Sequence, residues 1–192
     1  MMQLVLASHN QHKIQELGAI ISAAVPYVEL IGYDGPEPIE DGTSFLENAL
    51  IKARAAFAHT GLPSIADDSG IAVEVLGGSP GIFSARWAGG RDAAANRQLL
   101  LAQIADMAEE NRGASFVCTI AYVDSENEIS FTGIWPGRVA TEEDGLKGFG
   151  YDPIFIPEGF EVTAAELDPE VKNSISHRSL ALEQLCSYLS TL

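Results

Sequence analysis

Ile65-Ala66-Asp67-Asp68-Ser69-Gly70 sets two adjacent carboxylates between one apolar run, Leu62 to Ala66, and a second, Ile71 to Leu76. The first run reads as a strand, and Ser69-Gly70 predicts a turn behind it. Acids placed there sit at an edge rather than in a core. They suit holding a divalent cation and orienting or deprotonating a water. Turn chemistry alone also accounts for every residue from Asp67 to Gly70, so the surrounding chain has to decide.

Upstream, Gln3 to Ala7 is apolar and predicts a central strand. Ser8-His9-Asn10 breaks it, and Gln11 opens a helix with Ile14, Leu17, Ile21 and Ala24 on one face. Asn10 is the expected N-cap. Lys13 in the first turn opposes the helix dipole. It makes sense if an anion shares that turn, since N–H groups at a helix start bind phosphate; an ordinary capped helix with a surface lysine fits equally. Tyr27 to Ile31 is a short strand, and Gly32 to Gly42 is an acidic Pro/Gly loop carrying Glu37, Glu40 and Asp41. Ser44 and Glu47 form a capping box. The helix behind it, to about His59, is expected to bury Leu46, Ala49 or Leu50, Ala53 and Phe57, with Asn48 and Lys52 on another face.

Downstream, Gly77 to Gly81 is a loop delivering Ser84, Arg86 and Trp87. Asp92 caps a helix expected to bury Leu100, Ile104 and Met107, with Gly113 as its end. Phe116 to Val123 is apolar on both alternating faces, and Asp124 to Asn127 turns it into Glu128 to Val139 as a long hairpin. Phe149 and Tyr151 stand among glycines in Gly148-Phe149-Gly150-Tyr151-Asp152-Pro153. Core packing explains aromatics there poorly, and a platform for a flat ligand is an alternative. Ile154 to Ile156 is a short strand, Thr163 and Glu166 make another capping box, and the last helix buries Ala181, Leu185, Tyr188 and Leu192.

With 192 residues, the chain suits one domain, or two lobes sharing one sheet. No apolar run is long enough to span a bilayer, and no basic-then-apolar leader is read at the start. Cys118 and Cys186 lie in apolar periodic segments, as buried thiols of a reducing cytoplasm do. A net charge of −16 argues against a nucleic-acid polymer or an anionic membrane as partner. The scarce cations Lys13, Lys52, Arg86, Lys172 and Arg178 nonetheless fall in or beside the stretches above. A phosphate cradle (Ser8 to Lys13), acids for a metal (Glu40, Asp67, Asp68), aromatic platforms and a His177-Arg178 donor pair together describe a nucleoside triphosphate site. No G-x-x-x-x-G-K-S/T is present, so this is not a P-loop protein.

Taken in order, these motifs resemble the inosine triphosphate pyrophosphatase family, and most of all its bacterial members. The matching stretches are Ala7 to Lys13, Glu40-Asp41-Gly42 with Phe45, Glu47-Asn48-Ala49 with Lys52-Ala53, and Ala66 to Gly70. They continue with Leu76-Gly77-Gly78, Pro80-Gly81, Ser84-Ala85-Arg86, Gly148 to Pro153, Lys172 and Ser176-His177-Arg178. Each is weak alone, but the ordered set is specific. His9 and Lys147 stand where many relatives carry small residues.

The resemblance implies an α/β fold: a long mixed β-sheet with flanking helices, forming two lobes around a central cleft, in a homodimer. It implies Mg2+-dependent hydrolysis of non-standard purine triphosphates (ITP, dITP, XTP) to monophosphate and pyrophosphate. Asp68 would be the proton acceptor for the attacking water and, with Glu40, a metal ligand, with Asp67 in support. Ser8, His9, Asn10, Gln11, His12, Lys13, Lys52 and Ser69 would hold the phosphates. Phe149, Gly150, Tyr151 and Asp152 would stack on and border the base, and Lys172, His177 and Arg178 would close the pocket. A donor aimed at purine position 6 accepts a carbonyl and meets the adenine amino group donor to donor. A pyrophosphatase for other modified nucleotides, or a binding protein without turnover, are the alternatives.

Overall fold

The computed structural model describes residues 1–9 and 11–192, the side chains of His12 and Glu16 excepted. Asn10, the expected cap, lies outside the described residues, as does the His12 side chain. Six strands hydrogen-bond in the order β2-β1-β3-β4-β5-β6: β1 (Met2–Leu6), β2 (Val28–Gly32), β3 (Ser64–Val73), β4 (Gly113–Val123), β5 (Glu128–Val139) and β6 (Phe155–Pro157). Parallel β1/β2 and β1/β3 pairs and an antiparallel β5/β6 pair make the sheet mixed, as the α/β expectation requires. The helices are α1 (Gln11–Ala24), α2 (Phe45–Thr60), α3 (Ala93–Gln103), α4 (Pro169–Ile175) and α5 (His177–Leu189). The chain forms two compact units.

The first unit comprises Met1–Asp68, Thr119–Thr132 and Leu180–Leu192. The crossovers β1-α1-β2 and β2-α2-β3 run in opposite directions across the sheet. Right-handed connections therefore put α1 and α2 on opposite faces. Packing agrees: Val5 clusters with Ala56 of α2, and Ala66 with Ala49 and Ala53 of the same helix. A Cβ on Gly32 would meet Ile14 of α1 at 3.0 Å. Ser44 caps α2 by accepting the Glu47 N–H, while the Glu47 carboxylate takes the Thr43 N–H, one residue ahead of a standard capping box. Ala49 and Ala53 of α2 are buried as expected, but Asn48 and Ala56 complete the buried stripe, while Leu46 is exposed and Leu50 and Phe57 are half-buried. Small residues let α2 lie close to the strands, and that turns Asn48 inward.

The second unit comprises Ser69–Cys118 and Gly133–Ser179. Its core gathers Ile71 and Val73 of β3, Leu100 of α3, Phe116 of β4, Trp135 of β5 and Phe155 of β6. Phe116 and Phe155 meet edge to face at 4.6 Å, a favoured aromatic geometry. Arg112 is buried at the start of β4, where its guanidinium donates to the carbonyls of Ile104, Val139 and Ala140. Burial lowers its pKa from the ordinary arginine value. Three elements differ from expectation. α3 stops at Gln103, leaving Met107 exposed beyond it. Glu166 accepts the Thr163 N–H as predicted, yet only a turn follows, and the next helix starts at Pro169 under an Asp168 cap. In the first unit, Leu192 lies past the end of α5 and is exposed.

The largest difference falls on the opening stretch. No turn follows Asp67-Asp68; β3 runs unbroken through Ser69 and Gly70 to Val73. β1 pairs with Ser64 and Ile65, and β3 lies between β1 and β4 in the sheet; membership of that ladder outweighs the turn preference of Ser-Gly.

Candidate active site

An extended backbone sends successive side chains to opposite faces. Asp67 and Asp68 are therefore divided between the two helices of the first unit. Asp67 shares a face with Ile65 and pairs with Lys13 of α1. Asp68 shares a face with Ala66 and meets α2. There Asn48 Nδ2 donates to Asp68 Oδ2 at 3.1 Å, and Lys52 Nζ lies 4.0 Å from Asp68 Oδ1. Lys52 also donates to the Asp67 carbonyl at 2.8 Å and pairs with Glu40 at 2.9 Å. Lys13, Glu40, Lys52, Asp67 and Asp68 thus form one connected charge network.

Asn48 was not singled out as a site residue from sequence. It is only 1% exposed, and its Oδ1 accepts the Gly42 N–H at 3.0 Å. With one end fixed on the backbone, the amide can present only its donor to Asp68, which fixes that carboxylate's orientation. The periodicity puts Asn48 with Lys52 off the apolar stripe, so its burial against the strands carries no signal in the sequence.

His9 is exposed and stacks on Tyr33 at 5.7 Å, with Nε2 3.0 Å from the Gly35 carbonyl and Nδ1 3.3 Å from Glu37. It braces the loop that leads to Glu40. Gln11 is exposed at the start of α1, and Ser8 and Ser69 are half-buried.

In the second unit Phe149, Gly150, Asp152, Lys172 and Arg178 gather. Phe149 is 64% exposed, with Lys172 Nζ 5.1 Å and the Arg178 guanidinium 5.6 Å from its ring centroid. Such cation–aromatic contacts hold the ring open to stacking. Asp152, 3% exposed, accepts the Phe149 N–H at 2.7 Å and Lys172 at 2.5 Å. Gly148 has φ +77°, and a Cβ there would run into the Asp152 carboxylate. Tyr151 and His177 are instead built into the core. Tyr151 donates to the Ser84 carbonyl at 2.8 Å, and burial pushes its phenol up to about 12. His177 stacks on Phe116 at 4.8 Å and 11°.

Glu40 and Asp68 offer only oxygen donors and already share one cation, Lys52. That donor chemistry fits Mg2+, which binds through one or two carboxylates with water and substrate phosphates completing its shell. No three His, Cys, Asp or Glu side chains form a metal-holding group among the described residues. No helix among these residues is long and apolar enough to cross a membrane.

Fold and charge network define an α/β protein of mixed sheet with an acid–lysine centre built from the middle of β3, the first turn of α1, the body of α2 and the loop carrying Glu40. Comparison makes the class specific. The model of the Ham1 family matches residues 4–188. A protein of Leifsonia xyli subsp. xyli named dITP/XTP pyrophosphatase is 54% identical over 194 residues, covering 100% of this chain and 98% of that protein. The solved HAM1 protein of Coxiella burnetii superposes with a TM-score of 0.92 at 40% identity, covering 100% of both chains. The dITP/XTP pyrophosphatase structure from Mycobacterium abscessus gives 0.84 at 47% identity, over 96% of this chain and 98% of that one. The chain belongs to the Ham1 family, and the resemblance read from the motifs holds.

Proposed function

We propose that this protein hydrolyses the non-standard purine triphosphates dITP, ITP and XTP to monophosphate and pyrophosphate, removing them from the nucleotide pool. The observation that carries the reading is Asp68, a carboxylate aimed by Asn48 and set beside Lys52. The full-length likeness to a protein named dITP/XTP pyrophosphatase supports the substrate class. Asp68 accepts a proton as a water oxygen attacks phosphorus; the new P–O bond forms as the anhydride bond to pyrophosphate breaks. Lys13 and Lys52 take the charge of the phosphates, with Ser8, Asn10 and Ser69 adding donors. Glu40 and Asp68 would hold Mg2+, which supplies charge neutralisation of the phosphates and a more acidic water.

Phe149 stacks on the base, and Lys172 and Arg178 supply donors at its edge. A carbonyl at position 6 satisfies a donor that an amino group would leave unpaired and buried. On the family resemblance, the working form is a homodimer in the cytoplasm, and light scattering reads its mass directly.

The test is a chromatographic product assay of purified protein with Mg2+, comparing dITP, ITP and XTP with ATP and GTP. Monophosphate and pyrophosphate from the first three alone is the expected result. Diphosphate and orthophosphate, or equal turnover of ATP, would overturn the reading.

A further inference from the structure

Phe149 is exposed and lies between two residues of left-handed conformation, Gly148 at φ +77° and Gly150 at φ +59°. Lys172 and Arg178 flank the ring, but it has no buried seat, so the backbone on either side must carry much of its placement. On one side the Phe149 N–H is held by Asp152. On the other the Gly150 carbonyl accepts a 2.8 Å hydrogen bond from Arg97 Nη1. The second prong of the same guanidinium, Nη2, lies 2.9 Å from Glu143, at the other end of the loop.

Arg97 projects from a fixed base. On α3 the preceding Asn96 is buried, accepting the Ala88 N–H at 2.7 Å and donating to the Ala85 carbonyl at 3.2 Å. The Arg97 side chain is only 15% exposed. Its Nε is buried with no hydrogen-bond partner among the described residues, so its polar interactions here run through the fork. A planar, always-charged fork spans two acceptors in a way that a lysine cannot.

We propose that Arg97 is a positioning residue for base recognition: it straps the loop between Glu143 and Gly150 to α3 and so aims Phe149. This rests on the pyrophosphatase reading above, with Phe149 as the base platform. Arg97 spends its guanidinium fork on Gly150 and Glu143, so its loss should appear in KM and leave kcat nearly alone.

The experiment takes the full chain as wild type, Arg97→Ala, Arg97→Lys and Glu143→Gln, with dITP as substrate and thermal melting as a fold check. Arg97→Ala is expected to raise KM about tenfold with kcat within about twofold, the scale of one charge-assisted hydrogen bond. Arg97→Lys falls between, and Glu143→Gln, which keeps the Gly150 contact, stays near wild type. An unchanged KM in Arg97→Ala, or a loss confined to kcat, overturns the proposal. Amide hydrogen exchange over residues 149–151 gives a readout independent of turnover. It should quicken about tenfold in Arg97→Ala and not in Glu143→Gln, the same single-bond scale. If the wild type fails to hydrolyse dITP while exchange behaves as stated, the pyrophosphatase reading fails and the strap stands. Unchanged exchange refutes the strap whatever the activity. Should Arg97→Ala not fold, Arg97→Lys decides by the same measurements.

Discussion

The network around Asp68 and the cluster around Phe149 are both dense in charge, yet they are held differently. In the first, side chains hold one another: Lys13 with Asp67, Lys52 with Glu40 and Asp68, Asn48 with Asp68. In the second, backbone and core do the holding: Asp152 takes the Phe149 N–H, Arg97 the Gly150 carbonyl, and Tyr151 and His177 are packed beneath. Ion pairs can exchange partners when phosphate and metal arrive, whereas a packed frame keeps its shape. The difference suits a mobile, highly charged polyphosphate at one cluster and a flat, rigid base at the other.

Four substitutions put that contrast under strain. Asp68→Asn should cut turnover of dITP by about 10²–10⁴-fold, the range of a positioned general base, while nucleotide binding persists by calorimetry. Near-normal turnover would remove Asp68 from its role. Asn48→Ala should lower kcat by about tenfold or more and cost about 1–3 kcal/mol in urea unfolding, since the half-buried Gly42 N–H loses its acceptor. Phe149→Ala should raise KM by about tenfold, as loss of one base–aromatic stack does. Its effect on stability should stay within about 0.5 kcal/mol, because the ring is exposed. If it instead unfolds the chain, the ring belongs to the core and the contrast collapses.

Tyr151→Phe is the mildest, costing about 1 kcal/mol for the lost bond to Ser84. It also has a pH signature. The folded phenol titrates at about 12, raised by burial above a free tyrosine. A raised value means stability fully present below about pH 10 and lost as pH climbs through the folded value. Phenolate absorbance should show one component near pH 12 in the wild type that the variant lacks; a missing component near pH 10 would mean Tyr151 is not packed as described.

Periodicity made most of the fold legible. The strand at Gln3, the capped helix at Ser44, the doubly buried strand at Phe116 and its hairpin all fall where the pattern predicts them. The pattern failed where tertiary pairing overrules local preference. Ser69-Gly70 looks like a turn until the neighbouring strands are known, and Thr163-Glu166 makes its capping contact without nucleating a helix. Of the candidate site residues, those whose charge announces them, Lys13, Glu40, Lys52, Asp67 and Asp68, do meet in the first unit. Asn48 and Arg97 were missed because their importance lies in what they touch, and a Gly42 N–H or a Gly150 carbonyl leaves no mark in composition. Tyr151, read as a platform beside Phe149, is buried with its hydroxyl on the Ser84 carbonyl; a neighbouring glycine says nothing about which way an aromatic faces.

The loop bearing Phe149 is fastened through a peptide N–H and a peptide carbonyl, groups that nearly every amino acid carries. Residue 149 can therefore be exchanged without releasing the grip on either side of it. Scaffold and reader are uncoupled there, and that makes the position a natural point of evolvability. Under the proposed function, changing this one side chain alters how firmly a base is stacked and leaves the frame that carries it in place.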